Sequence, residues 1–498
     1  MMKKQSNKIE YYYEKFRAFL LVFLMMLCII QVGILWSSQS GSFPFSIFKG
    51  SKAAQVSIEE SKSSYLLPYQ IVLSTGYDED HYIITNGTKE YNDLWNGAKA
   101  VLARTLDTKP KQSQTFTEEK WAKLAANKPF FFEFKTRIPI EIIRWVLNLS
   151  DSAVGDLSSI YKFLICPDDP ENGYADTLYI RDGMSNIYTY TISDFKDNEL
   201  TPEKIQSIYE KHSNDGNARN YKMAIEINDT RYPQDMLGPM ISSQTPDSYP
   251  DISCRPLAET GDQSSLLEEY DIIAQELFGK SKNDFVPDED VYGSLLFKKL
   301  DSFYKVYKNS ILEYKYTENQ NISEKVKLLD AYKNALSFII THKTQSKLLD
   351  NVNIYLNTII PGNNSYIFNF DIAISGEGSA GELPIYVKDY SIPNTDETLK
   401  NAITIEANAK RVTNCKWLIL NYTIDKDVKK YRWSFVDMFD KVYNKYPALK
   451  DEEDAYKGYG IYYVVSNSGQ RQYTMTPEFI LFGQRENYDV PLDLEEKK

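Results

Sequence analysis

The chain has 498 residues, 14% of them aromatic, which is enough apolar material for about three domains of roughly 150 residues each and excludes a disordered stalk. Its formal charge of −12 makes it a poor ligand for nucleic acid or anionic lipid. Four cysteines and three histidines, widely spaced, exclude a disulfide framework and leave little material for a zinc site or histidine-based catalysis.

Residues 1–17 carry Lys3, Lys4, Lys8, Lys15 and Arg17 against Glu10 and Glu14. The run Ala18–Trp36 follows, with Gln31 its only strongly polar member. As a helix it reaches roughly 28 Å, close to the hydrocarbon thickness of a bilayer. Signal-peptide apolar regions are shorter, about 7–15 residues, so the run reads as a retained anchor. The basic tail places the N-terminus in the cytoplasm and the bulk of the chain outside the cell membrane. Leu20, Leu24, Leu27, Gln31 and Ile34 follow the spacing of a helix-pair seam, and Gln31 can bond across such a pair. A Leu-rich span facing only lipid shows the same stripe, so both readings stand.

Residues 37–62 read as a juxtamembrane spacer. An α+β domain is expected over 63–229. Short strands at Tyr69–Leu73 and His81–Ile84 lead to a helix with Tyr91, Leu94, Trp95, Ala98, Val101 and Leu102 on one face. Thr117 caps a second helix, Phe130–Phe134 is a strand, and Ile140–Leu147 is a helix after Pro139. A meander over Ile160–Cys166, Thr177–Arg181 and Ile187–Ile192 turns at Asp182-Gly183, and Thr201-Pro202 opens another helix. Residues 230–264, with five prolines and no apolar period, read as an interdomain connection.

A helix over Leu266–Phe278 opens a middle domain, 265–392, which precedes a C-terminal domain, 393–498. Each carries the order ββαββ. Hairpins at Phe303–Tyr316 and Ile403–Tyr422 come first, then helices over Ser323–Thr341 and Phe435–Tyr443. Strand pairs at Val352–Ile374 and Tyr459–Phe482 close them. The expected class is α+β: one transmembrane helix, a unique α+β domain, then two similar antiparallel domains.

Gly376-Glu-Gly378-Ser-Ala-Gly381 matches a dinucleotide-binding pattern, but an extended Leu383-Pro384-Ile385 follows where that fingerprint requires a helix. It reads as a loop, and no cofactor is expected. The clusters Asp78–Asp80, Asp288–Asp290 and Asp451–Asp454 lack calcium-loop spacing and read as solvated charge, with His81 an ordinary strand-edge residue. No nucleophile–base set, carboxylate pair or metal set is evident, so the chain does not read as an enzyme.

The layout resembles the YycH family of extracytoplasmic regulators. The resemblance rests on Leu67-Pro-Tyr-Gln-Ile-Val-Leu-Ser74, His81-Tyr82 and Tyr91-Asn-Asp-Leu-Trp95. Further on it rests on Phe303-Tyr304, Leu312-Glu-Tyr314, Ala331 to Phe338, Tyr456-Lys-Gly-Tyr459 and Tyr473-Thr-Met-Thr-Pro477 with Phe479. It implies a non-enzymatic membrane regulator in a Gram-positive bacterium. The implied partners are a YycI-like protein and the sensor histidine kinase YycG (WalK), whose two-component system controls cell-wall metabolism. An extracytoplasmic scaffold or envelope-binding protein with a glycan, peptide or assembly partner is the alternative, and it would need a groove lined with aromatics.

Overall fold

A computed structural model describes residues 58–115, 117–127, 129–149, 156–166, 176–184, 186–192, 200, 202–214, 221–228, 232–239, 247–257, 288–298, 301–317, 326–376, 381–432, 434–450, 456–466, 473–483 and 486–494. The strands of its first part are β1 (Gln70–Ser74), β2 (His81–Ile84), β3 (Gln112–Thr115), β4 (Phe130–Pro139), β5 (Ser159–Cys166), β6 (Thr177–Arg181), β7 (Asn186–Thr191), β8 (Tyr221–Met223) and β9 (Leu237–Pro239). They form one antiparallel sheet in the order β3-β7-β6-β5-β4-β1-β2-β8-β9. The helices are α1 (Lys89–Thr105), α2 (Glu118–Ala126), α3 (Ile140–Leu147) and α4 (Pro202–Asn214).

Alternation along β4 fixes the layers. Phe130, Phe132 and Phe134 point to one face, where Trp95 of α1 sits over Phe132, Phe134 and Phe163. Phe132 and Phe163 stack at 4.5 Å. Phe131 points to the other face, against Trp121 of α2. Threonine caps open α1 and α2. The Thr88 hydroxyl accepts from Tyr91 N–H at 3.3 Å, and the Thr117 hydroxyl from Lys120 N–H at 3.2 Å. The expected apolar face of α1 is buried throughout.

The second part contains β10 (Asp247–Arg255), β11 (Asp288–Glu289), β12 (Leu295–Lys298), β13 (Ser302–Val306), β14 (Ile311–Tyr316), β15 (Val352–Pro361), β16 (Tyr366–Ser375) and β17 (Glu382–Val387). It continues with β18 (Tyr390–Ser391), β19 (Thr398–Leu399), β20 (Ile403–Ala407), β21 (Val412–Leu418), β22 (Asn421–Arg432), β23 (Gly458–Val465), β24 (Tyr473–Met475), β25 (Pro477–Phe482), β26 (Asn487–Pro491) and β27 (Asp493–Leu494). Among the described residues a 12-stranded sheet runs β11-β12-β13-β14-β21-β20-β16-β17-β23-β25-β26, with β15 paired to β16. Helix α5 (Leu328–Gln345) packs on β16, β20 and β21, and α6 (Phe435–Lys445) packs on β26.

The first pass appears as β13, β14, α5, β15 and β16, but in the second β21 covers Val412–Leu418 and the long strand β22 comes between the hairpin β20–β21 and α6, and the strands of the two passes interleave. β14 pairs with β21 and β16 with β20, so one sheet continues across the boundary drawn at 392. The hairpin β20–β21 fills the open edges of β14 and β16, which unpaired would each expose a row of backbone donors and acceptors. The stretch 230–264 also holds more structure than its composition announces. β10 pairs with β22 and with β24, and a bulge at Pro250–Ile252 interrupts the first ladder. Pro250 and Asp251 break the apolar alternation there, which is why the strand was not legible. Asp251 accepts from the Tyr431 hydroxyl at 2.8 Å and pairs with Lys429.

The end of the stretch read as a spacer joins the fold through Lys62, which is buried and bonds Glu59 at 2.6 Å and Asn148 at 2.7 Å. The expected helix at Leu266–Phe278 lies outside the described residues. The described chain is α+β.

Candidate functional site

Between the first sheet and the β17–β23 region of the large sheet lies an open cleft of about 1670 Å³. β1, β4 and β5 form one wall, residues 232–237 the next, and β17, β23 and Gly483, Glu486 and Asn487 the far side. Tyrosines enter from all of these, among them Tyr69, Tyr161, Tyr232, Tyr386, Tyr459 and Tyr462. Each brings an aromatic ring and one hydroxyl to the lining, and the Tyr459 hydroxyl donates to the Leu237 carbonyl at 2.5 Å.

The charges in the cleft come in matched sets. Glu133, Lys162 and Arg181 stand opposite one another on three adjacent strands, β4, β5 and β6. Lys162 bonds Glu133 at 3.0 Å and Asp235 at 2.6 Å, and Asp235 also accepts from Trp121 Nε1 at 2.9 Å. Arg181 bonds Glu118 at 2.9 Å and lies 3.9 Å from Asp235. Burial alone would raise the Asp235 carboxyl, but Lys162 and Arg181 hold it below its usual range. For Glu133 burial outweighs Lys162, so its carboxyl is raised. Burial would lower the Lys162 ammonium, and its two carboxylate neighbours raise it instead.

A second set joins the two sheets. The Lys135 ammonium of β4 lies 5.0 Å from the Tyr69 ring and 5.5 Å from the Tyr462 ring, with Asp371 at 2.5 Å. The hydroxyls of Tyr69 and Tyr462 meet at 2.9 Å. At the rim Lys388 pairs with Asp489 at 2.5 Å. Burial and the neighbouring Asp489 carboxylate push Glu478 up to about 7.

The sequence-nominated positions fall elsewhere. The run Ala18–Trp36, with Leu20, Leu24, Leu27, Gln31 and Ile34, lies outside the described residues, as does the cluster Asp451–Asp454. Among the described residues no helix is long and apolar enough to cross a membrane. Nor, among them, do three or more His, Cys, Asp or Glu side chains gather as a metal site. His81 departs from the strand-edge expectation: β8 pairs on the outer side of β2, and His81 is fully buried, with Nε2 2.8 Å from Glu226 Oε2.

Cys166, Cys254 and Cys415 are buried thiols outside any disulfide among the described residues. The end of the Gly376–Gly381 motif serves packing. Gly381 has φ +66°, and a Cβ there would stand 2.3 Å from Thr85 Cγ2 and 2.7 Å from the Asn86 carbonyl oxygen. β17 follows at once, and its Glu382 N–H donates to the Asn86 carbonyl at 2.9 Å.

The ingredients of the cleft were visible in the sequence only as an excess of tyrosine, 38 in all. Their convergence depends on strands hundreds of residues apart, and no local spacing announces it.

Residues 14–212 match the family model described as YycH protein, N-terminal domain, a stretch reaching from before the apolar run through most of α4. No curated protein matches the chain. Among solved structures, the crystal structure of YycH from Bacillus subtilis aligns with a TM-score of 0.49 at 10% identity, over 86% of this chain and 96% of that one. An uncharacterized protein from Eubacterium rectale aligns with a TM-score of 0.28 at 9% identity, over 51% of this chain and 86% of that one. Over residues 14–212, then, the chain is similar to the N-terminal domain of YycH proteins.

Proposed function

We propose that the chain is a membrane-anchored extracytoplasmic regulator that modulates a sensor histidine kinase of the YycG/WalK type, together with a YycI-like protein. The observation that carries this reading is the family match over residues 14–212, which takes in the apolar run and strands β1 to β7 of the first sheet together. In this reading Ala18–Trp36 spans the membrane with the basic tail in the cytoplasm. The domains outside act through protein–protein contacts and without catalysis. A regulator of this kind biases the kinase between two states by binding one of them better. Purification of the full-length chain in mild detergent from its own cells, with partners identified by mass, tests it. Recovery of the kinase and the YycI-like protein supports the proposal, and their absence from a preparation that retains the intact chain counts against it.

The tyrosine-lined cleft favours a second reading, an envelope-binding scaffold whose partner occupies that cleft. The two readings are separated by the same purification, since a scaffold would bring down its envelope partner without the kinase.

A further inference from the structure

The turn 85–88, between β2 and α1, rests on the start of β17, and Glu382 stands at the centre of that contact. Its N–H donates to the Asn86 carbonyl at 2.9 Å, and Asn86 Nδ2 donates in turn to the Tyr69 carbonyl at 2.8 Å. Gly87 lies so close to the side chain that a Cβ there would stand 2.7 Å from Glu382 Cγ. The carboxyl end accepts from Asn353 Nδ2 at 2.7 Å and from the Tyr355 hydroxyl, both on β15. A turn of the first sheet is therefore seated on the stem of an ionisable side chain whose head is held by the large sheet.

The groups that act on this carboxyl come from three elements. Tyr355 and Asn353 lie on β15, Lys343 on α5 and Tyr91 on α1. The Tyr91 hydroxyl donates to the Pro68 carbonyl at 2.6 Å. The Lys343 ammonium donates to the Val352 carbonyl at 2.5 Å, faces Asp350, and acts on Glu382 through its charge. The two hydrogen bonds from β15 and the Lys343 charge favour the ionised form. Burial acts the other way and outweighs them, which raises the carboxyl above its ordinary 4.5.

The geometry points to Glu382 as a proton-operated catch between the two sheets. Neutral, the carboxyl stays in place and the turn seats on β17. Once its proton leaves to solvent, the half-buried carboxylate draws toward water and slackens the turn that its stem supports. A carboxyl raised in the seated state contributes fully below 4.5, and that contribution is lost as pH rises through the raised value. Acid therefore tightens this junction and alkali loosens it. Asn86 joins Glu382 to Tyr69, so the catch lies one residue away from the Tyr69–Tyr462 contact. This inference goes beyond the kinase reading, and its test presupposes no kinase.

The Glu382 amide reads the catch directly, because its hydrogen bond to Asn86 breaks when the turn lifts. Its hydrogen exchange is followed by mass spectrometry on the full-length chain in mild detergent from pH 8 to pH 4, each rate divided by the unstructured rate at the same pH. Protection in the parent is expected to rise by at least about threefold as pH falls, the change that half a unit of raised carboxyl implies. Glu382→Gln, permanently neutral, is expected to hold the high level throughout. Lys343→Met removes the cation that favours ionisation, so its transition is expected at higher pH than the parent's. Flat protection in the parent overturns the proposal, and so does a Glu382→Gln profile that follows the parent's, since the titrating group then lies elsewhere. If Glu382→Gln does not fold, Lys343→Met decides: a transition unmoved, or moved to lower pH, overturns it.

Discussion

Tyr69 and Tyr462 are 393 positions apart in the chain, and their hydroxyls meet at 2.9 Å. One belongs to the approach to β1 and the other to β23, so this contact ties the first sheet to the large one at the back of the cleft. The Lys135 ammonium between their rings, paired with Asp371, makes the junction electrostatic as well as aromatic.

The junction is expected to fail when one charge is removed. Both side chains are largely buried, at 17% and 20% exposure. Asp371→Asn leaves the ammonium without its counter-charge and is expected to cost about 3 kcal/mol. Lys135→Met combined with Asp371→Leu is expected to recover most of that loss. Urea denaturation checks both, and a single variant with the parent's midpoint would contradict the assignment.

Gly381→Ala tests how the two parts are held together on the other side. The left-handed backbone and the approach to Thr85 and Asn86 leave no room for a Cβ. Loss of stability of at least about 1 kcal/mol is expected, visible as a lower urea midpoint. An unchanged midpoint would mean that the contact at Asn86 yields freely.

Glu478 gives the protein a pH dependence near neutrality. Its carboxyl rises from 4.5 to about 7 in the folded chain, because burial and Asp489 both disfavour the charged form. A raised carboxyl binds its proton more tightly when folded. Its contribution to stability is therefore complete below about 4.5 and is lost as pH rises through about 7. The parent chain is expected to gain thermal stability between pH 8 and pH 5 relative to Glu478→Gln. Melting curves at the two pH values check this, and equal gains in both chains would contradict it.

Much of the local architecture was legible. The apolar face of α1, the Thr117 cap and the turn at Asp182-Gly183 each follow from spacing within a few residues. The long-range pairings were not legible. Nothing near Ile311 or Val412 says that β14 will pair with β21, and nothing near Asp247 says that β10 will find β22. Register between distant strands is decided by burial and edge satisfaction in the assembled sheet. The cleft inherits that limit, because Glu133, Lys162, Asp235 and Asp371 become neighbours only through the sheet order. His81 was misplaced for the same reason, since β8 arrives from 140 residues downstream to cover it.

The apolar run offers a separate handle. If the run spans the membrane as proposed, lipid removes the ordinary hydrophobic drive for helix pairing, and recognition there would rest on packing and on polar groups such as Gln31, with a contribution of up to about 1–2 kcal/mol. Gln31→Leu is expected to weaken recovery of the kinase in mild detergent while leaving membrane insertion intact. Unchanged recovery would make the Leu20–Ile34 stripe a lipid-facing surface only.

The central claim, that this chain regulates a sensor kinase through contacts at the membrane and outside it, is tested most directly by one reconstitution. The full-length chain, the YycG/WalK-type kinase and the YycI-like protein are placed together in lipid vesicles, and kinase autophosphorylation is followed with and without the chain. The account expects a change in the autophosphorylation rate that depends on the concentration of the chain and disappears when Ala18–Trp36 is replaced by an unrelated span. A rate indifferent to the chain, in vesicles where all three proteins are inserted and intact, would contradict it.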